Sequence, residues 1–392
     1  MKVLVLAPHP FYQERGTPIA VDLLLRALSE RGDEVDLLTF HEGSDKDYSG
    51  LTIKRISPWF PATGIKPGFS VKKLMCDVHL MMRFLCLMAT RKYDVVHAVE
   101  ESAFMAMLIC PLRRIPYVYD MDSSMTTQLV DKFGALKKLE STLRWAEGLP
   151  MRFANVVMPM CDALADEARA RGAESIVILK DVSLVGSGET TNSVADLRKE
   201  FGEDKKIAMY IGNLESYQGI DLLLDSVSLV YKSQPELVVI IIGGADDDIE
   251  KYQKISQLLG IDRIVHFLGK KPVVDIGSYM SQADVLLSPR VHGINTPMKI
   301  YSYLHSNTAV LATDLPTHTQ VMNSDIGMLA SPNKEAFSDA MVKIISDDEL
   351  RSRLSKAAHQ YIEKEHSYDA FKQHLYGAYE QLESTISKHA DA

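Results

Sequence analysis

The residues best placed to do chemistry lie in SPRVHGINTPMKIYSYLHSNTAVLATD, Ser288 to Asp314. Thr296 is a good helix N-cap and proline is favoured at the first helical position, so a helix is expected from Pro297 to about Ser306. The free N–H groups of such a helix start suit a phosphate. Lys299 falls in the first turn, where a cation opposes the helix dipole unless an anion is bound there. Arg290, in the preceding loop, can reach the same anion, and Ser302 lies on the same helix face as Lys299. Two ordinary surface charges are the alternative.

Other polar residues are expected at the ends of strands. In YIGNLESYQGIDLLL, a strand ending at Gly212 leads into a loop that offers Asn213 and Gln218 as neutral hydrogen-bonding groups. Gly243 and Gly244 end another strand where close backbone approach is needed. Nearer the start, RGTPIAVDLL puts Gly16 and Thr17 at a helix start, a second possible anion or sugar site. His97 lies near the end of a strand in DVVHAVEES, with Glu100 behind it, and Asp120 and Asp122 end the next strand. His97 reads either as a cleft-facing group or as a satisfied core histidine. The four cysteines, Cys76, Cys86, Cys110 and Cys161, form no CxxC pair and no cysteine–histidine spacing suggests zinc, so reduced thiols and no metal are expected.

The elements that must position these residues follow from the pattern of the chain. At 392 residues it exceeds one ordinary domain, so two are expected. Apolar residues make up 46% and charged residues 24%, the balance of a soluble globular protein rather than a disordered or fibrous one. A net charge of -9 argues against nucleic-acid binding. Short apolar runs alternate with helical patterns: strands at 2–7, 34–40, 94–99, 117–121, 154–160 and 175–179, then a second series at 206–212, 237–244, 264–269, 285–288 and 309–313. Such alternation implies parallel sheets with helices on both faces, an α/β class. The Ser/Thr/Gly-rich segment 183–196 reads as a linker between two doubly wound domains, 1–182 and 197–365, with a helical 366–392 at the end. Two open α/β sheets in tandem suggest a ligand cleft between them. The first strand-to-helix turn has no GxGxxG, which disfavours a dinucleotide oxidoreductase. Leu74 to Ala89 is the most apolar helical stretch, but Asp77, His79 and Arg83 interrupt it and it falls short of the ~20 residues that span a bilayer.

In order and spacing these motifs resemble glycosyltransferase family 4, the retaining GT-B enzymes. The resemblance covers nearly the whole chain: the RG-loop after the first strand, DVVH (94–97), GNLESYQGIDLLL (212–224), IIIGG (240–244), HFLGKKP (266–272), ADVLLSP (283–289) and PMKIYSYL…AVLATD (297–314). It implies two Rossmann-like domains facing a central cleft, a nucleotide-sugar donor held mainly by the second, a saccharide or lipid-linked acceptor held by the first, and a C-terminal helix that crosses back to the first domain. Lys271, in HFLGKKP, falls on the donor side. The family usually places an arginine and a lysine on the donor diphosphate after the second domain's first strand; Asn213 and Gln218 stand there. Of its two glutamates, the second aligns with Ser302 and the first with Gly293 or Ile294, beside Asn295 and Thr296.

The expectation is a metal-independent retaining hexosyltransferase without a cofactor. Arg290 and Lys299 would neutralise the leaving diphosphate, the backbone at Gly16 would approach the same phosphates, and His97 would hydrogen-bond the transferred sugar, with Glu100, Asp120 and Asp122 on the acceptor side. A catalytically inactive nucleotide-binding scaffold and a GT-B sugar-nucleotide epimerase are the alternatives. The charge is uneven: residues 54–152 hold 15 basic and 9 acidic residues, although the whole chain is acidic. A basic amphipathic surface there would dock on anionic lipid, which makes the expected location cytoplasmic, peripheral on the inner face of the cell membrane.

Overall fold

A computed structural model describes residues 1–13, 16–57, 63–65, 68–183, 194–293 and 296–390. The chain divides into two compact units, Met1–Asp181 with Phe371–Ala392, and Val182–Ala370. Most of the expected linker, 184–193, lies outside the described residues, and the chain returns to the first unit at Phe371 rather than at 366.

The first unit holds six parallel strands: β1 (Lys2–Ala7), β2 (Glu34–Thr39), β3 (Leu51–Arg55), β4 (Val95–Val99), β5 (Tyr117–Met121) and β6 (Val156–Pro159), in the spatial order β3-β2-β1-β4-β5-β6. The second repeats the plan with β7 (Lys206–Ile211), β8 (Leu237–Ile242), β9 (Val265–Gly269), β10 (Val285–Ser288), β11 (Ala309–Thr313) and β12 (Met328–Ala330), ordered β12-β11-β10-β7-β8-β9. Both are doubly wound, and each strand order reverses once, between β1 and β4 and between β10 and β7. Ligands in such sheets sit beyond the carboxyl ends of the strands at that reversal.

Residues 3–7, 95–99 and 117–121 are buried throughout, as parallel strands covered on both faces must be. Register is set by pairs such as Val5 with Leu37 and with His97. Ser70 caps the helix Val71–Thr90 by accepting a hydrogen bond from the Lys73 N–H at 3.1 Å. That helix turns Cys76, Leu80, Phe84 and Leu87 into the core of the first unit.

Three strand assignments differ from the sequence expectation. Residues 175–179 form no strand; Ile176 makes a single parallel bridge to Val157. Strands β3 and β12 were not expected, because each is short and only partly buried at a sheet edge, so it lacks a continuous apolar run. The helical end of the chain is three helices, Lys334–Ser346, Asp348–Glu365 and Tyr368–Ala390. The last buries Phe371, Leu375, Tyr379 and Leu382. It is tied to the first unit where the Tyr376 hydroxyl donates to the Ala27 carbonyl at 2.9 Å and Arg31 pairs with Glu383 at 3.2 Å. No helix among the described residues is long and apolar enough to cross a membrane.

Candidate functional site

In the second unit, the loops leaving β7 and β10 meet at the strand reversal. Gly219 has a φ of +76°, and a Cβ there would collide with the carbonyl of Pro289, so only glycine lets the two loops close. The Val291 N–H also donates to the Tyr217 carbonyl at 3.0 Å. Gly293, at φ +123°, does the same for a side chain, since a Cβ would fall on the Arg290 guanidinium.

These loops hold two cations. Lys299 is half-buried; its Nζ donates to Gln218 Oε1 at 3.3 Å and stands 3.9 Å from the centre of the Tyr210 ring. Arg290 lies 5.1 Å over the Tyr217 ring and donates from Nε to the His292 carbonyl at 2.7 Å. Lys299 makes no ion pair among the described residues. Burial, followed by repulsion from Arg290, pushes its ammonium well below the usual lysine range. His318 behind them is pushed down to about 4 by burial, with both cations adding to the effect, and stays neutral. An ammonium so buried beside a second cation is costly unless an anion completes the set. Thr296 is buried, and its Oγ1 has no hydrogen-bond partner among the described residues. Thr296 therefore does not cap a helix: the helix is the short Lys299–His305, preceded by Met298 without a side-chain cap. The helix expected from Pro297 begins at Lys299, after a turn in which the Ile300 N–H donates to the Pro297 carbonyl at 2.9 Å, so the two cations are the site's main anion-binding groups.

The other donor-side candidates sort by position. Asn213 is exposed, and its side chain reaches the Tyr217 hydroxyl at 3.5 Å. Ser302 is buried one turn beyond Lys299. Gly243 and Gly244 serve internal packing: a Cβ would meet the Gly212 carbonyl at the first and Leu214 at the second. Lys271 lies 5.9 Å from the Tyr279 ring, apart from the Arg290 and Lys299 contacts. Ile294 and Asn295 lie outside the described residues.

In the first unit the strand reversal opens a cavity of about 860 Å³. Pro8 and His9 after β1, Gly16 and Thr17 at the next helix start, and Glu100 and Glu101 after β4 line it. A Cβ at Gly16 would meet nothing within 4 Å, so this backbone is open. Phe69, Leu74, Phe104 and Leu129 make the remaining wall largely apolar, and Lys73 enters it paired with Glu101.

Carboxylates gather behind this cavity. Glu100 has φ +52°, donates its N–H to the Asp120 carbonyl at 2.9 Å, and accepts from the Ser123 hydroxyl at 2.9 Å. Burial raises its carboxyl to about 7. Asp122 is raised well above the usual carboxylate range, first by burial and then by Asp120, Glu100 and Asp181, against a hydrogen bond from Thr17. Asp181, also raised to about 7 by burial, was not foreseen, although it stands two residues after the strand expected at 175–179. His97 corrects the expectation that it touches a sugar. It is fully buried, its Nε2 3.2 Å from Asp120 Oδ2 and its Nδ1 2.9 Å from the Tyr379 hydroxyl. Both ring nitrogens are engaged, so His97 orients Asp120 from within the core.

Comparisons with known proteins agree with this architecture. A family model described as glycosyl transferases group 1 matches residues 195–361, and one described as a glycosyl transferase 4-like domain matches residues 15–179. A phosphatidyl-myo-inositol mannosyltransferase of Mycolicibacterium smegmatis is 24% identical over 92% of this chain and 90% of its own. Among solved structures, sucrose-phosphate synthase from Thermosynechococcus elongatus superposes with a TM-score of 0.76 at 17% identity, covering 98% of this chain and all of that one. Anabaena Alr3699/HepE in complex with UDP superposes at 0.74 and 15% identity, covering 97% of this chain and 100% of its own.

Proposed function

Because the chain belongs to the family 4 glycosyltransferases of GT-B fold, which transfer from sugar-nucleotide donors, we propose that it moves a hexosyl unit with retention of anomeric configuration onto a saccharide or lipid-linked acceptor. The observation that carries this reading is the pair Lys299 and Arg290, with Lys299 half-buried and without a carboxylate partner among the described residues. Two such cations side by side suit a diphosphate.

In the reaction, the bond from the anomeric carbon to the donor phosphate breaks and the electron pair goes to the phosphate oxygen. Lys299 and Arg290 meet that developing charge, an electrostatic effect that is often the largest catalytic term. Two side-chain cations supply the positive charge without a metal ion. The acceptor hydroxyl forms its bond on the face the phosphate leaves, and its proton passes to the leaving phosphate. Gln218, Asn213 and Ser302 supply neutral hydrogen bonds where the family usually has charged groups. A uridine diphosphate sugar is the first donor to try, since Alr3699/HepE binds UDP and UDP-glucose.

The acceptor belongs to the cavity of the first unit, where Glu100 and Gln128 offer hydrogen bonds beside apolar walls and Asp122 lies behind. The Mycolicibacterium relative is named as a phosphatidyl-myo-inositol mannosyltransferase, and a lipid-linked acceptor fits an exposed stripe on the same unit. Val71, Leu74, Met75, Val78, Met82 and Leu85 recur at helical spacing on the outer face of Val71–Thr90, all exposed. Lys72 and Arg83 stand on that helix, and Lys132 donates to the Phe69 carbonyl at its start. Apolar anchors among cations suit the surface of an anionic membrane on its cytoplasmic side. Co-sedimentation with phosphatidylglycerol vesicles at low salt tests this: Val78→Glu with Leu85→Glu releases the protein, and no pelleting of the wild type overturns it.

The activity itself is tested by incubating the protein with UDP-, GDP- and ADP-sugars, with and without acceptor glycolipids, and following products by mass spectrometry. Transfer with retained configuration supports the proposal. A changed sugar without acceptor identifies an epimerase, and binding without turnover identifies a scaffold.

A further inference from the structure

Away from the Lys299 and Arg290 pair, His305, His359 and Glu363 in the second unit bring one ligand atom each within 4.8 Å of one another. His359 and Glu363 are four residues apart on Asp348–Glu365 and so share a helix face. His305 closes the short helix that Lys299 opens, about 9 Å along the axis from that lysine. The two imidazoles stack at 4.8 Å between ring centres, and His305 Nε2 is 2.6 Å from Glu363 Oε1.

The second nitrogen of each ring is also held. His359 Nδ1 lies 2.8 Å from the His305 carbonyl, which can only accept, so Nδ1 carries the proton and Nε2 keeps its lone pair. His305 Nδ1 is 2.9 Å from the Ser183 hydroxyl, which can take the ring proton in the same way. Outer hydrogen bonds of this kind fix the tautomer and orientation of metal-ligating histidines.

We propose that His305, His359 and Glu363 form a structural Zn²⁺ site, with His305 Nε2, His359 Nε2 and a Glu363 oxygen as protein ligands and water as the fourth. Two imidazoles with one carboxylate suit zinc rather than magnesium or calcium, which take oxygen ligands. A tetrahedral shell at ~2.0–2.1 Å from the metal brings its ligand atoms to about 3.4 Å of one another. Glu363 is 55% exposed, so it is free to swing the remaining distance and leaves an entry path. On binding, the proton shared between His305 Nε2 and Glu363 is released to solvent. The ion would staple three segments distant in sequence, because Ser183 is bonded both to His305 and, through its N–H at 3.1 Å, to the His366 carbonyl.

The test is Zn²⁺ titration of the chelator-stripped full chain by calorimetry, with thermal melts of the same samples. One equivalent is expected to bind the wild type, with proton release and a raised Tm. His359→Ala and Glu363→Gln each weaken binding by at least about 10-fold and abolish the Tm rise. Should His359→Ala unfold, Glu363→Gln at its exposed position carries the comparison, and the visible spectrum of Co²⁺-loaded wild type reports four-coordinate nitrogen and oxygen ligation. No binding to the wild type at micromolar Zn²⁺, or equal binding by wild type and Glu363→Gln, overturns the proposal and leaves a plain histidine–glutamate ion pair.

Discussion

The two units share one topology and differ in what they put at the place where strand order reverses. Between β1 and β4 the chain gathers Glu100, Asp120 and Asp122 behind an apolar cavity. Between β10 and β7 it gathers Lys299 and Arg290. In both, burial discourages the charged form: the Glu100 and Asp122 carboxyls rise and the Lys299 ammonium falls. The same backbone plan thus creates a position, and side-chain sign decides which ligand completes it. In the proposed reaction, acids protonated near neutrality exchange hydrogen bonds with hydroxyls, and cations pair with a phosphate.

The sharpest way to break this contrast is to remove the cation. Lys299→Met is expected to lower kcat by about 10²–10³-fold, the loss typical of one electrostatic contact to a leaving group. It should at the same time raise the Tm of the nucleotide-free protein, because a buried ammonium beside Arg290 is replaced by an apolar side chain of similar length. Arg290→Ala should show the same loss of turnover. Activity and melting measured on one preparation check this. Unchanged kinetics in both variants, or a lower Tm for Lys299→Met, would mean that the cations serve the fold and not a diphosphate.

How far the sequence revealed this depends on which kind of signal a residue carries. Buried strands announce themselves as apolar runs, so β1, β4, β5, β7, β8, β10 and β11 were legible, whereas β3 and β12 are short edge strands without one. Arg290, Lys299 and Gln218 were legible as polar residues after strand ends, and they meet. Thr296 misled, because Thr-Pro before an apolar run has the look of a helix start and the chain delays the helix to Lys299. His97 could be read two ways from its place in β4, and only the hydroxyl of Tyr379, far along the chain, decides for the core. Asp181 and the His359–Glu363 spacing went unseen, since each becomes informative only through a partner brought by the fold.

The carboxyl side gives a smaller and opposite effect. The Glu100 carboxyl is raised to about 7 in the folded protein from an ordinary value near 4.5, mainly by burial. A group bound to its proton more tightly in the folded state adds stability that is complete below about pH 4.5 and is lost as pH rises through about 7. Glu100→Gln, which cannot ionise, should therefore leave stability unchanged at pH 4 and raise it at pH 8 by on the order of 1–3 kcal/mol. Urea melts across that range measure it. A wild type whose stability does not fall between pH 5 and 8 relative to Glu100→Gln would show that Ser123 and Lys73 keep the carboxylate charged after all.

The smallest effect concerns the link between β4 and the last helix. His97 sits between Asp120 and Tyr379, with both bonds buried. Tyr379→Phe deletes only the hydroxyl and keeps the ring that packs beside His97, so it should cost about 1 kcal/mol, a net hydrogen bond. His97→Asn removes the ring and both bonds and should cost more, about 1–3 kcal/mol. If the three groups act as a unit, the double variant loses less than the sum of the two single losses by about 0.5–1 kcal/mol. That coupling belongs to folding, and kcat with a soluble donor should stay within about threefold of wild type in Tyr379→Phe, since 0.5 kcal/mol is about twofold. A Tyr379→Phe enzyme that folds normally and loses turnover by a hundredfold would instead return His97 to the reacting sugar, and the carboxyl side of the molecule would hold a catalytic histidine that the cation side lacks.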